Sequence, residues 1–343
     1  RRLEQRHARR PLMGAPRAPL CLLAAADGLP FARTVGAELG HPVTPSHDTW
    51  FACGQATHVI EANVRGNDVY VVQQTVVPGS GRSIYDRLMM ALHAVDAARC
   101  ADAARVTLIL PYLPGSRQDK RKNWAREGVS TGLFARMFEA AGVDMVLTIE
   151  PHNEAVVGCY GRSVFEGISI TRAFARFLDA EGLRRDCMAS TDVGGLEMAR
   201  AFAANLRCDL VALSKERDYS RPNTVARSTL LGDVQGRSVM IIDDIIDTAG
   251  SVVAAVETLW EHGATDVVVG AAHLILSGPA WDRLHRLRTS AEARGYDFRV
   301  VGVSHIQHPE APAWYHEFQV EPLLAKIIRS VNTRGSVRAA EER

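Results

Sequence analysis

Long apolar runs are missing from this chain of 343 residues. No stretch approaches the roughly 18 consecutive apolar residues of a membrane-spanning helix, so no membrane partner is expected. Charge of one sign is missing too. The 40 Lys+Arg against 39 Asp+Glu leave a formal net charge of +1, so no broad basic surface is available to clamp nucleic acid. Phosphate binding needs only a few well-placed donors and stays open. Cysteine is sparse, with six residues (Cys21, Cys53, Cys100, Cys159, Cys187 and Cys208) and no Cys-x-x-Cys pair. That spacing excludes a standard zinc module, argues against a disulfide framework and fits a reduced, cytoplasmic setting. Lysine is scarcer still. Only Lys120, Lys122, Lys215 and Lys326 stand among the 40 basic residues. Such a bias usually reflects the nucleotide composition of a genome, but three of these four fall in two short polar segments, and an ammonium is a compact point charge where a guanidinium is a planar fork.

What is present is ample core material, with 47% hydrophobic and 23% charged residues. Five N-terminal arginines precede the run Leu20–Ala26, the outline of a signal peptide. The run is short, however, and Pro11, Pro16, Arg17 and Pro19 interrupt its approach. It reads as a first buried strand, followed by a turn at Asp27–Gly28 and a helix from about Pro30 to Leu39. Residues 1–18 read as an N-terminal tail.

Apolar β-rich runs then alternate with helical patterns, which predicts parallel α/β architecture. The predicted strands include Asp68–Gln73, Val106–Pro111, Met145–Ile149, Leu210–Leu213, Ser238–Ile242, Asp266–Leu276 and Phe298–Val303. Helices are predicted at Ser83–Arg99, Gly132–Ala141, Gly195–Asn205 and Gly250–His262. No Pro/Gly/Ser linker or low-complexity tract divides the chain, and a boundary is expected near Gly167–Ile170. Several strands end abruptly in polar residues: Arg117–Lys120, Glu150–His152, Ser214–Arg217 and Asp243–Asp244. Ligands of open parallel sheets bind beyond the carboxyl ends of the strands, so the chemistry is expected along that edge.

The segment Val239–Ser251 carries most information. A buried strand delivers two carboxylates, Asp243 and Asp244, and a loop of small residues then opens a helix. Backbone N–H groups at a helix start, with the Thr248 and Ser251 hydroxyls, make a phosphate cradle. Two adjacent carboxylates accept hydrogen bonds from a pair of sugar hydroxyls, so a sugar phosphate is the ligand expected. A P-loop metal site would need a Gly-x-x-x-x-Gly-Lys-Ser/Thr partner. Gly79–Ser83 lacks its lysine and its spacing.

This segment resembles the phosphoribosyl-diphosphate loop of type I phosphoribosyltransferase folds. In the form Ile-Ile-Asp-Thr-Ala-Gly it is similar to ribose-phosphate diphosphokinases, also called phosphoribosyl pyrophosphate synthetases. Further matches run from about residue 19 to the C-terminal region: Asn63–Gly66, Arg117–Asp119, Thr191–Gly195, Leu276–Ala280 and Pro322–Ala325. The resemblance implies two doubly wound α/β domains of type I phosphoribosyltransferase-like fold with the active site between them. The N-terminal ATP-binding domain would span 19–168, joined by the C-terminal helix 321–343, and the ribose-5-phosphate-binding domain 169–320.

It also implies roles for individual residues. Lys215 and Arg217 would be catalytic, at the base of a mobile polar loop running from Asp218 to Arg227. Arg217, Asp243, Asp244, Asp247, Thr248, Ala249, Gly250 and Ser251 would bind ribose 5-phosphate. Phe51, Cys53, Gln55, Arg117, Gln118 and Asp119 would bind ATP. His152 and Asp192 would serve Mg2+ held mostly by phosphate oxygens and water. The chain departs from the pattern at Cys53 and Gln55, which replace an Asp or Asn and a Glu, and at Glu216, where a basic residue is usual. Two other readings follow from these facts: a non-catalytic paralogue of such a synthetase, and a phosphoribosyltransferase that consumes its product. The second has no use for the stretch Arg117–His152.

The family commonly assembles as homo-oligomers, often hexamers, with phosphate activating at a site between subunits. Arg65 matches one part of that site. The C-terminal part reads Gly335–Ser336–Val337–Arg338, with arginine in place of a second serine, and Pro78–Ser83 is a few residues longer than usual.

Overall fold

The computed structural model describes residues 16–121, 125–217 and 225–342. They fall into two compact units. The first holds the described residues up to Thr75, Gly81–Ile168 and those from Glu321 onward; the second holds Val76–Ser80 and Ser169–Val320.

The first unit begins with β1 (Leu20–Ala24), α1 (Leu29–Leu39), the hairpin β2 (Ser46–Trp50) and β3 (Ala56–Ile60), and β4 (Asp68–Val72). It continues through α2 (Ile84–Cys100), β5 (Arg105–Ile109), α3 (Ser130–Ala141), β6 (Met145–Ile149) and β7 (Val164–Ile168). Five strands form a parallel sheet in the order β1-β4-β5-β6-β7. Every residue of β4 is buried, as expected of a central parallel strand covered on both faces. Leu23, Val69, Val71, Leu108 and Val146 pack with Leu88 and Ala91 of α2 and Phe134 and Phe138 of α3. On the opposite face, Gly36 of α1 lies so close to Leu22 that a Cβ there would stand 3.3 Å from the leucine. The start of α2 is set by a capping box between Ser83 and Asp86, which satisfies two orphan amide groups.

The second unit runs through α4 (Thr171–Ala180), β8 (Cys187–Ala189), α5 (Leu196–Leu206), β9 (Asp209–Leu210), β10 (Ala212–Arg217) and β11 (Val225–Leu231). It ends with β12 (Val239–Ile246), α6 (Gly250–Glu261), β13 (Val267–Leu274), α7 (Ala280–Arg294), β14 (Phe298–Val303) and β15 (Tyr315–Phe318). Its six-stranded sheet has the order β15-β14-β13-β12-β8-β9, again parallel. The chain steps outward from β8 to β9, then returns to β8's other side at β12. Winding therefore reverses between β8 and β12, the kind of switch point at which open parallel sheets bind ligands.

The chain closes with α8 (Glu321–Asn332) and α9 (Val337–Glu341), both in the first unit. α8 packs on α1, where the Arg329 guanidinium donates to the Leu39 carbonyl (2.7 Å). At its end the Asn332 amide donates to the buried Asp68 carboxylate (3.0 Å) and to the Ala18 carbonyl (3.1 Å). Arg17 N–H returns a bond to the Asn332 carbonyl (2.8 Å), so residues 17 and 18 are tied to the unit. The rest of the expected tail, residues 1–15, lies outside the described residues. All six cysteines are free thiols.

The strands at the candidate site run further than expected. β12 runs on through Asp243 and Asp244 to Ile246, paired with β13 at Asp243↔Ala271 and Ile245↔His273. β10 likewise continues through Lys215 to Arg217, because β11 returns antiparallel and takes up its backbone groups. Residues 225–227, expected in a mobile loop, are therefore strand. The rest of that loop, 218–224, lies outside the described residues. Carboxylates and ammonium groups mark the end of an apolar run, not the end of the hydrogen-bonded ladder.

Candidate active site

In the second unit the winding reversal collects three acids. Asp243 and Asp244 come from the carboxyl half of β12, and Asp192 follows β8 by three residues. Asp243 is the most constrained. One of its oxygens accepts from the Thr191 hydroxyl, and the other accepts from the Asp244 N–H at 2.9 Å. Crowding by protein atoms, then the charges of Asp244 and Asp192, push its carboxyl up to about 7. Part of its surface stays open, which tempers that rise and leaves the acid reachable by a ligand. Asp192 is braced by the Gly194 N–H (2.9 Å), and its own carbonyl accepts from Ser190 Oγ (2.5 Å). Gly195 packs closely here, since a Cβ would stand 3.2 Å from that of Ser190 and one of the two would have to give way.

The loop after β12 forms the second half of the site. Asp247 accepts from the Ser277 hydroxyl, and its carbonyl accepts from Ser277 N–H at 3.0 Å. Ala249 caps α6 with φ of 59°, a left-handed conformation that costs a non-glycine residue about 1 kcal/mol or more. Arg283, in the first turn of α7, donates from Nη1 to the Thr248 carbonyl at 2.7 Å and holds that bend. The N–H groups of the first turn of α6, starting at Gly250, and the Thr248 and Ser251 side chains therefore share one strand-to-helix corner. A helix start built this way accepts an anion.

Thr191, Ser277 and Arg283 were not singled out as site residues from the sequence. Thr191 and Ser277 stand inside matched motifs, and Arg283 lies three residues past Ala280; only the fold shows what they hold. Lys215 and Arg217 lie on β10, with Lys215 opposite Ser228, Arg217 opposite Val225 and a register shift between Glu216 and Arg217. Their side chains lie outside what is described.

The first unit holds the other predicted residues. Arg117, Gln118 and Asp119 follow β5 in a looped segment. The Gln118 side chain accepts from Ser130 Oγ, and its carbonyl accepts from Thr131 at the start of α3. Asp119 accepts from the Asn153 amide at 2.5 Å, and Lys120 Nζ lies 3.8 Å away. Asn153 also caps the short turn that starts at Glu154. His152 is thus presented beside the Asp119 segment, beyond the end of β6. Its approach is stiff: Glu150 has φ of 34° and donates its N–H to Ile168, and Pro151 lies against Gly167. His152 and Asp192, both expected to serve a metal, belong to different units.

Phe51, Cys53 and Gln55 form the tip of the β2–β3 hairpin. Phe51 N–H donates to the Gln55 carbonyl (2.8 Å), and the Cys53 thiol lies 3.6 Å from Gln55 Oε1. Phe51 is 52% exposed, an aromatic face free to stack on a planar ring. Arg65 pairs with Asp102 at 3.3 Å, and Arg338 on α9 lies 3.9 Å from Glu342.

Comparison with known proteins extends this picture. Residues 20–142 match the family model described as the N-terminal domain of ribose phosphate pyrophosphokinase, and residues 166–311 match that of the phosphoribosyl transferase domain. A ribose-phosphate pyrophosphokinase of Campylobacter jejuni is 33% identical over 307 residues, covering 90% of this chain and 94% of that protein. One from Burkholderia pseudomallei is 36% identical over 253 residues, 74% of this chain and 77% of its own. The crystal structure of phosphoribosylpyrophosphate synthetase from Mycobacterium smegmatis superposes with a TM-score of 0.81 at 29% identity, covering 92% of this chain and all of that one.

Proposed function

The chain belongs to the ribose-phosphate pyrophosphokinase family, and from that premise we infer that it makes 5-phospho-α-D-ribose 1-diphosphate and AMP from ribose 5-phosphate and Mg-ATP. The observation that carries this reading is the corner at β12–α6. Paired carboxylates for vicinal hydroxyls stand directly before an anion-accepting helix start. Asp243 and Asp244 take the ribose hydroxyls, and 247–251 take the 5-phosphate. Phe51, Gln55, Arg117, Gln118 and Asp119 hold the nucleotide, with Cys53 a weak hydrogen-bonding substitute at the tip. The C1 hydroxyl then attacks the β-phosphorus and loses its proton. The bond from that phosphorus to the bridging oxygen of the α-phosphate breaks, and AMP leaves. Such a transfer depends on position and charge neutralisation more than on acid–base groups, which assigns Lys215 and Arg217 to the developing charge.

The donor set suits magnesium. Asp192 and His152 offer hard or borderline ligands, and the raised Asp243 carboxyl marks a place where a nearby cation would relieve like-charge repulsion. Among the described residues no group of three or more His, Cys, Asp or Glu could hold a metal ion unaided. Bound magnesium would therefore be held largely by phosphate oxygens, neutralising their charge. We further take the protein to be a homo-oligomer, and its free thiols accord with a reducing, cytoplasmic compartment.

Incubating the protein with ribose 5-phosphate, ATP and magnesium tests the reading. AMP should appear in step with consumption of ribose 5-phosphate and should require it. No AMP release would favour the non-catalytic reading that Cys53, Gln55 and Glu216 suggest.

A further inference from the structure

Arg82 stands in the stretch Pro78–Ser83 and carries none of the roles assigned above, yet it is held at three points. Its backbone is fixed by the neighbouring capping box at Ser83 and Asp86. Its guanidinium lies 3.4 Å from Asp27, and Cζ sits 4.3 Å from the centre of the Trp50 ring. Asp27 is itself a rigid anchor, because the buried Arg87 guanidinium grips its other oxygen at 3.1 Å. Trp50 is the last residue of β2, immediately before Phe51. Its indole N–H is shut off from water with no hydrogen-bond partner among the described residues, so packing and the guanidinium stack hold the ring. The base of the same hairpin is fixed separately. Asp48 accepts from Ala26 N–H (2.8 Å) and bonds the buried His58 ring (2.7 Å).

The arrangement leaves only the tip, residues 51–55, to be aimed by what holds Trp50. We infer that Arg82 is a positioning residue for the nucleotide: stacked on Trp50 and braced by Asp27, it sets the direction in which the hairpin presents Phe51 and Gln55. The inference rests on the assignment of that tip to ATP. Arg82 touches neither substrate nor the reacting atoms, so its loss should weaken nucleotide binding and leave chemistry intact.

The test is a kinetic cycle on the full-length protein with Arg82→Ala, Phe51→Ala and the double variant. Arg82→Ala should raise the KM for ATP about tenfold, as expected for loss of a partly desolvated cation–π stack. It should leave kcat and the KM for ribose 5-phosphate within about twofold of wild type. In the Phe51→Ala background the same change should add far less, since Gln55 alone is left to aim. Arg82→Lys, which keeps a cation over the ring, should restore most of the affinity. If Phe51→Ala raises the KM for ATP and Arg82→Ala does not, the positioning role is overturned while the tip keeps its assignment. If Phe51→Ala itself leaves that KM unchanged, the tip does not bind ATP and both readings fall. A fall in kcat, with KM unmoved, would place Arg82 in general scaffolding and overturn the proposal.

Discussion

Asp243 meets its environment as an acid that the fold prefers protonated. Its carboxyl is raised from the ordinary 3.8 to about 7, chiefly by burial and then by Asp244. Between those two pH values the folded protein binds more protons at this group than the unfolded chain does. Its contribution to stability is therefore full below about pH 4 and lost as pH rises through about 7. Asp243→Asn should flatten that part of the stability profile, read as Tm against pH without substrate, while weakening ribose 5-phosphate binding. A profile that keeps its slope would remove Asp243 as its source. Lys215, proposed above to meet the developing charge, gives a second test. Lys215→Ala should cut turnover by about 100-fold or more, the scale of one preorganised donor to developing charge, with both substrates still bound. Near-wild-type turnover would take the residue out of the mechanism.

Elements matter where two of them meet in a turn. The corner between β12 and α6 carries a left-handed alanine, and neighbouring elements hold it: Ser277 beyond β13 bonds Asp247, and Arg283 on α7 bonds Thr248. Strain of this kind persists only where surrounding contacts over-determine it. Arg283→Ala should therefore loosen the phosphate cradle and raise the KM for ribose 5-phosphate by roughly tenfold, the scale of one charged hydrogen bond, with little change in the KM for ATP. Equal rises for both substrates would point to a general loss of folded protein instead. The hairpin β2–β3 obeys the same logic in the other unit, where a fixed base and an exposed tip separate support from contact.

At the scale of the whole molecule the open question is regulation. The resemblance implies that Arg338 takes the place of a second serine, and its only ionic partner among the described residues is Glu342, at 3.9 Å. An exposed pair of that kind is worth a few tenths of a kcal/mol and leaves the guanidinium available to an intersubunit contact. A tethered cation there would substitute for an activating anion. Activity should then depend little on inorganic phosphate when phosphate is titrated at fixed magnesium in a non-phosphate buffer. A steep activation curve rising from near zero would refute it.

Alternation of apolar runs with helical patterns was enough to place the parallel sheets, since a strand covered on both faces is buried throughout and mostly apolar, as β4 is after Asp68. The run Ile241–Ile242–Asp243–Asp244 and the small-residue loop behind it were also legible as a candidate corner, because adjacent carboxylates and a helix start are the groups a sugar phosphate would call for. The strand ends were not. Ladder pairing continues wherever a neighbouring strand supplies partners, so polarity alone could not say that β10 and β12 run on through Lys215 and Asp244. Nor could local sequence reveal Thr191 on Asp243, Arg283 on Thr248 or Arg82 on Trp50. Those residues lie 52, 35 and 32 positions from their partners. Only the closing of each sheet, which brings distant strand ends and helix starts to one edge, decides which of many polar side chains meet.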